Sequence, residues 1–144
     1  MAEFEDMKRR VVWHGLTLFL LGLLLGFVEP KVANPRMGLA AHLEGLMNGT
    51  FLLALGGIWH LVRLSPSVIK WAYWSLLYGA YANVLTTTAA AVVGASSLSP
   101  ITGAGHNAEP WQETLVTVGF VTVGLTMLLG TALVLWGLRT PHRL

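Results

Sequence analysis

The sequence contains no cysteine and few charged residues, and both shortages narrow what the chain can be. Without cysteine, disulfides, thiolate nucleophiles, zinc–thiolate sites and iron–sulfur clusters are excluded. Charged residues make up only 11% of the 144 residues, whereas hydrophobic residues make up 54%. Because this balance is too apolar for a soluble domain of this size, the composition predicts a polytopic membrane protein.

The small net charge argues against a protein that binds nucleic acid. The formal charge is +2 at pH 7, and the basic residues stand near the ends of apolar stretches instead of forming a basic stripe. Such a distribution is typical of topology signals at membrane surfaces. We therefore expect no nucleic-acid partner.

Four apolar stretches are each long enough to cross a bilayer. At ~1.5 Å rise per residue, roughly 18 or more apolar residues span a hydrocarbon core of about 30 Å. Short segments containing proline and glycine separate the stretches and end the helices. We predict an all-α integral membrane four-helix bundle, forming a single domain over residues 1–144, with spans at about 11–28, 37–62, 68–95 and 111–138.

The distribution of basic residues predicts the orientation of these spans. Seven basic residues lie before the first span, in the second loop and in the C-terminal tail, against two in the first loop and none in the third. By the positive-inside rule both termini are cytoplasmic. Tryptophans near the span ends fit an interfacial aromatic belt; they are Trp13, Trp59, Trp71, Trp74, Trp111 and Trp136.

Polar side chains inside the second span are the candidate site. An ionisable side chain costs ~2.5–3.5 kcal/mol in a span, so one that persists usually faces the protein interior and has a function. Glu44 and Asn48 share one helical face at i and i+4, and His42 lies on another. The predicted topology brings Asn83 of the third span to the same depth. We therefore predict Glu44, Asn48 and Asn83 as catalytic residues.

Structural interpretations of the same residues stay open. His42 is either a neutral histidine bonded to a neighbouring helix or a ligand. Asn48 and Asn83 are either part of a site or interhelical hydrogen bonds worth about 0.6 kcal/mol each. Gly45 and Gly49, also at i and i+4, indicate a stripe for close helix packing.

Several residues farther along the chain complete the candidate pocket. Tyr81 precedes Asn83 closely enough to help line it, Thr87 lies in the outer half of the third span, and His106 stands in the long outer loop, where it could cover a site. His14 and His60 lie near the predicted inner surface. We assign these two histidines to packing or to the membrane interface.

Three motifs carry a resemblance to a known family. They are HLEGLMNG at 42–49, LYGAYAN at 77–83 and GH at 105–106. With them the chain resembles hydroxylaminobenzene mutase over nearly its whole length, up to LWGLR at 135–139. The resemblance implies a small four-helix, multi-pass protein of the bacterial inner membrane that rearranges aryl hydroxylamines to 2-aminophenols during nitroarene metabolism.

The chain is more faintly similar to styrene oxide isomerase, a membrane enzyme that uses haem b as a Lewis acid. The shared residues include His42, Asn48 and Asn83. This similarity implies that His42 is the axial ligand of the haem iron, in a cofactor site that includes Gly45 and Gly49, and that Asn48 holds the substrate. A tyrosine that positions substrate in that family is replaced here by Thr87, which we place in the substrate pocket with Tyr81 and His106.

These observations favour a membrane isomerase with a small aromatic substrate that reaches it through the lipid bilayer. Four short helices enclose little space for a cofactor, so we expect a homo-oligomer, with a trimer favoured. The alternatives are an aryl epoxide isomerase, a haem-carrying electron-transfer subunit, and a small transporter or assembly factor without catalysis. Ligation by two histidines would mark the electron-transfer subunit.

Overall fold

Four long helices make up most of the protein. The computed structural model describes residues 2–139, and the side chains of residues 6–139. The helices are α1 (Ala2–Val28), α2 (Pro35–Ile58), α3 (Pro66–Val93) and α4 (Pro110–Leu138), with single 3₁₀ turns at Glu29–Lys31 and Trp59–Leu61. No strand occurs in the described residues, which confirms the all-α prediction.

Local sequence signals explain where the helices begin and end. Pro35, Pro66 and Pro110 each occupy a first helical position, where the missing N–H of proline has no intrahelical partner to lose. The α3 helix ends at Gly94, whose φ of 76° lies in the left-handed region that favours glycine. Three of the predicted spans end within two residues of the helix ends, whereas α1 begins at Ala2, nine residues before the predicted start of the first span.

The end of the second predicted span also differs from the structure. That span was expected to reach residue 62, but α2 ends at Ile58 and the chain continues as the 3₁₀ turn Trp59–Leu61. The turn buries Trp59, which is 0% exposed and packs edge-to-face against Tyr73. The prediction that Trp59 belongs to an interfacial belt is therefore wrong, whereas the other five tryptophans are at least 61% exposed.

The helices pack in sequence order. The α1 helix packs on α2, α2 on α3 and α3 on α4, while α1 and α4 share no seam of comparable extent. The described residues thus form an open arrangement in which the first and last helices each have one principal neighbour. The core between the helices contains large apolar side chains, among them Leu18, Leu52 and Leu76.

Three helices are long and apolar enough to cross a membrane. They cover Asp6–Lys31, Pro66–Val93 and Pro110–Leu138. The α2 helix, which carries Glu44, is not among them in the part of the chain that the structure describes. Many leucines of α1 and α4 are exposed, for example Leu24 and Leu128, as expected for helices whose outer surfaces contact lipid or another protein.

At the end of the molecule that contains Asn34, hydrogen bonds connect the α1–α2 loop and the α3–α4 loop to the helices. Asn34 is fully buried; its side chain caps α2 at the amide of Met37 and donates to the carbonyl of Thr102. Glu113 of α4 accepts from the backbone amides of Ser96 and Ser97 at 2.9 and 3.0 Å. These contacts hold the segment between α3 and α4 against the helix ends. Of the predicted basic tail, residues 140–144 lie outside the described residues.

Candidate active site

A carboxylate and two carboxamides meet on the seam between α2 and α3. Asn48 donates from Nδ2 to Glu44 Oε2 at 3.1 Å, one turn away on the same helix. Asn83 of α3 donates from Nδ2 to the same oxygen at 2.5 Å. Asn48 is buried, whereas Glu44 and Asn83 are half-buried. The structure therefore brings together the three residues that the sequence predicted as catalytic.

This carboxamide–carboxylate cluster, formed by Glu44, Asn48 and Asn83, suits its apolar surroundings. A carboxyl group among hydrophobic side chains is strongly penalised unless it is hydrogen-bonded. Two N–H donors on one oxygen supply that compensation without a counter-charge. The cluster therefore provides hydrogen-bonding groups, one of which can exchange a proton. Few other polar side chains are buried among the described residues.

His42 faces a different helix. Its Nδ1 lies 2.7 Å from the carbonyl oxygen of Gly22 on α1. A carbonyl only accepts hydrogen bonds, so Nδ1 carries a proton, and in the neutral imidazole Nε2 then has the free lone pair. The close approach is possible because residue 26 is glycine: a Cβ there would lie 2.9 Å from His42 Nδ1.

This tautomer fits a metal-bound imidazole. Histidines that bind metals commonly donate their second ring N–H to a backbone carbonyl, which orients the ring and makes the free nitrogen a better ligand. His42 thus fits the role of an axial ligand through Nε2. No group of three histidine, cysteine or acidic residues that could hold a metal ion occurs within the described part of the chain, but a haem needs only an axial ligand from the protein.

Gly45 and Gly49 lie in the interface between α1 and α2. A Cβ on Gly45 would collide with Gly22, and one on Gly49 would lie 2.6 Å from the backbone nitrogen of Phe19. Both glycines are buried, so the close-packing stripe that the sequence indicated is confirmed. Their assignment to a cofactor site gains no support from these contacts and stays a prediction.

The three expected pocket residues occupy separate places. Thr87 is 4% exposed and lies one helical turn beyond Asn83 on α3, so it shares the face of the cluster. Tyr81 instead faces α1, and His106 packs near Gly94 at the end of α3, with its Nδ1 3.4 Å from the carbonyl of Ala104. The structure joins neither Tyr81 nor His106 to the cluster by a hydrogen bond.

A contact between α1 and α3 was not indicated by the sequence. His14 Nδ1 lies 2.9 Å from the hydroxyl of Tyr81, and the two rings meet edge-to-face. With Trp74, Leu77 and Tyr78 they line a cleft of about 270 Å³. The residues of the pair are far apart in sequence, and no helical spacing connects them, so no local pattern could have revealed the contact.

Comparison with known proteins places the chain among isomerases. Residues 7–139 match the family model described as styrene oxide isomerase. Hydroxylaminobenzene mutase HabB of Ectopseudomonas oleovorans is 46% identical over 135 residues, which cover 93% of this chain and 82% of that protein. Hydroxylaminobenzene mutase HabA of the same organism is 41% identical over 112 residues, which cover 77% of this chain and 83% of that protein. No solved structure matches the chain significantly. The chain therefore belongs to the family of styrene oxide isomerase and the hydroxylaminobenzene mutases, and it is an isomerase.

Proposed function

We propose that the protein rearranges aryl hydroxylamines to 2-aminophenols by transferring the hydroxyl group within one substrate molecule. The N–O bond breaks and a C–O bond forms at the ortho carbon. The ortho hydrogen leaves as a proton and the nitrogen gains one, so the reaction balances without a co-reactant. Two relatives bear the name hydroxylaminobenzene mutase, and the observation that carries the proposal is the cluster of Glu44, Asn48 and Asn83.

The cluster supplies the groups that this reaction needs from the protein. Asn48 and Asn83 are fixed by their bonds to Glu44, so they orient a bound hydroxylamine without reorganisation during the reaction. Glu44 is the member of the cluster able to carry a proton between the ortho carbon and the nitrogen. In the proposed membrane location, lipid around these groups keeps out water, which would otherwise attack other ring positions.

A ferric haem b held by Nε2 of His42 is the proposed cofactor. When bound, it supplies a Lewis acid that accepts negative charge from the departing oxygen. The support from the protein is the bond between His42 and Gly22, which leaves Nε2 with its lone pair. His42 and the cluster lie on different sides of α2, since His42 contacts α1 and Glu44 contacts α3.

The proposed location is the bacterial inner membrane, crossed four times with both termini in the cytoplasm. Three helices have the length and composition needed to cross a membrane. The polar groups of α2 are bonded to one another or to neighbouring helices, which lowers the penalty for a fourth span. A small aromatic substrate, being soluble in lipid, can enter from the bilayer.

A homo-oligomer, with a trimer favoured, is also part of the proposal. The support is the open helix order, in which α1 and α4 lack a common seam and keep large apolar side chains exposed. A second copy covering these surfaces would enclose a cofactor more fully than one chain does. Cross-linking in native membranes followed by mass measurement tests the number of subunits.

A second candidate function is isomerisation of aryl epoxides. The match of residues 7–139 to the styrene oxide isomerase model favours it. The electron-transfer alternative lacks such support, because the matching family model and both named relatives are isomerases.

Isotopic labelling tests the proposed reaction directly. Membranes containing the protein are supplied with phenylhydroxylamine that carries ¹⁸O in its hydroxyl group. We expect 2-aminophenol that retains the label, because the departing oxygen recombines before solvent enters. Complete exchange with water would exclude the intramolecular route, and absence of any turnover would overturn the mutase function. Membranes from cells carrying the empty vector provide the background.

A further inference from the structure

Both asparagines of the cluster direct their amide nitrogens at one carboxylate oxygen. Nδ2 of Asn48 and Nδ2 of Asn83 lie 3.1 and 2.5 Å from Glu44 Oε2. A carboxamide has a donor end and an acceptor end, whereas a carboxylate oxygen only accepts. Glu44 therefore fixes the orientation of both amides, and each carbonyl oxygen Oδ1 remains for another partner.

Three oxygens of the cluster have unused hydrogen-bonding capacity. Glu44 Oε1, Asn48 Oδ1 and Asn83 Oδ1 accept no hydrogen bond from residues 6–139. None of them is enclosed, because among the described side chains that are not exposed, Trp59 Nε1 is the one polar atom fully buried without a partner. Each of the three therefore keeps some accessible surface, and each can accept a hydrogen bond.

From this arrangement we infer that Glu44 is a positioning residue that selects hydroxylamines over epoxides, an inference that rests on the proposed mutase function. An aryl hydroxylamine carries an N–H and an O–H donor, which match a set of acceptors. An aryl epoxide has only an acceptor oxygen. A site built to hydrogen-bond a donor rejects an analogue that lacks it, because the polar groups of the site then remain unpaired.

The experiment compares two substrates on matched variants of the full-length protein in membranes. The kcat/KM values for phenylhydroxylamine and styrene oxide are measured for the wild type, for Glu44→Gln and for Glu29→Gln, which removes the same charge outside the cluster. Glutamine can donate as well as accept, so an asparagine amide can reverse and offer its NH₂ to the epoxide oxygen. The value for styrene oxide decides, because loss of a proton carrier lowers the value for phenylhydroxylamine alone and partial unfolding raises neither value.

We expect kcat/KM for styrene oxide to rise at least about tenfold in Glu44→Gln and to stay unchanged in Glu29→Gln. Styrene oxide turnover that appears only in Glu44→Gln would also support the inference. A value for styrene oxide that does not rise in a folded Glu44→Gln protein would overturn the inference alone. A wild type that isomerises styrene oxide but not phenylhydroxylamine would overturn the mutase function as well.

A measurement on the wild type tests the same selectivity if Glu44→Gln does not fold. Benzyl alcohol and benzyl methyl ether share a ring and an oxygen, but only the alcohol has a donor. We expect benzyl alcohol to be the stronger competitive inhibitor of phenylhydroxylamine turnover by about tenfold or more. Equal inhibition constants for the alcohol and the ether would overturn the selectivity assigned to the cluster.

Discussion

Asn83 on α3 and Glu44 on α2 are joined by a hydrogen bond of 2.5 Å between Nδ2 and Oε2. This bond completes the cluster, because Glu44 and Asn48 already meet within one helix. Interhelical hydrogen bonds in membrane proteins contribute on average only about 0.6 kcal/mol to stability. The bond should consequently matter more for the reaction than for the fold.

Replacing Asn83 tests that difference. We expect Asn83→Ala to reduce kcat by roughly 10²–10³-fold, the loss typical of removing one preorganised hydrogen bond at a reacting centre, while thermal stability in detergent changes little. Tyr78→Phe is the matched control. Tyr78 on α3 forms a hydrogen bond of 3.1 Å with Thr122 on α4 and takes no part in the cluster. A similar loss of activity in both variants would contradict the catalytic role of Asn83.

Substitution of Gly45 should disturb the contact between α1 and α2. A Cβ at this position would collide with Gly22, whereas a Cβ at Gly57 on the same helix meets nothing within 4 Å. We expect Gly45→Ala to lower the free energy of unfolding by about 1–3 kcal/mol and Gly57→Ala to leave it unchanged or slightly higher. Denaturation in mixed micelles measures both, and equal stability of the two variants would argue against tight backbone packing.

The haem proposal predicts a visible absorption spectrum. We expect the purified protein to show the Soret band of a b-type haem and His42→Ala to lose it, because the variant removes the proposed axial ligand. His60→Ala is the control, as His60 is exposed in the turn Trp59–Leu61. A colourless wild-type preparation with full activity would refute the haem and leave the isomerase intact.

The orientation in the membrane can be tested with reporter fusions. We expect a fluorescent reporter that folds only in the cytoplasm to be active at either terminus and inactive when inserted into the loop after α3. The reason is the excess of basic residues on the predicted inner side, seven against two. Activity with the opposite pattern would place Glu44 and Asn83 at other depths than those proposed.

Sequence reasoning was most successful where physical signals are local. Segments containing proline and glycine were expected to separate the helices, and Pro66 and Pro110 indeed stand where α3 and α4 begin, because a proline has no backbone N–H to donate. The depth of Glu44 and Asn83 followed from counting residues between loops, since helices rise by a constant amount per residue. The common level of these two residues along their helices was therefore foreseeable.

Contacts that depend on which helices become neighbours were not foreseeable. The sequence placed His42 on a face other than that of Glu44, but not against the Gly22 carbonyl. It assigned Trp59 to the membrane surface because of its position near a span end, yet the 3₁₀ turn directs the ring into the core. The number of residues from the helix end sets the level of a side chain along its helix. Packing against neighbouring helices decides which partner that side chain meets.

The backbone contact between Gly22 and Gly45 bears on the order in which the protein matures. The α1 and α2 helices are consecutive, so their hairpin can assemble during synthesis, before α3 leaves the ribosome. His42 then receives its carbonyl partner from this first hairpin, whereas Glu44 waits for Asn83. A nascent chain that ends after α2 accordingly holds an oriented imidazole and an unfinished carboxylate, so two polar groups of a single helical turn are completed at different stages of biogenesis.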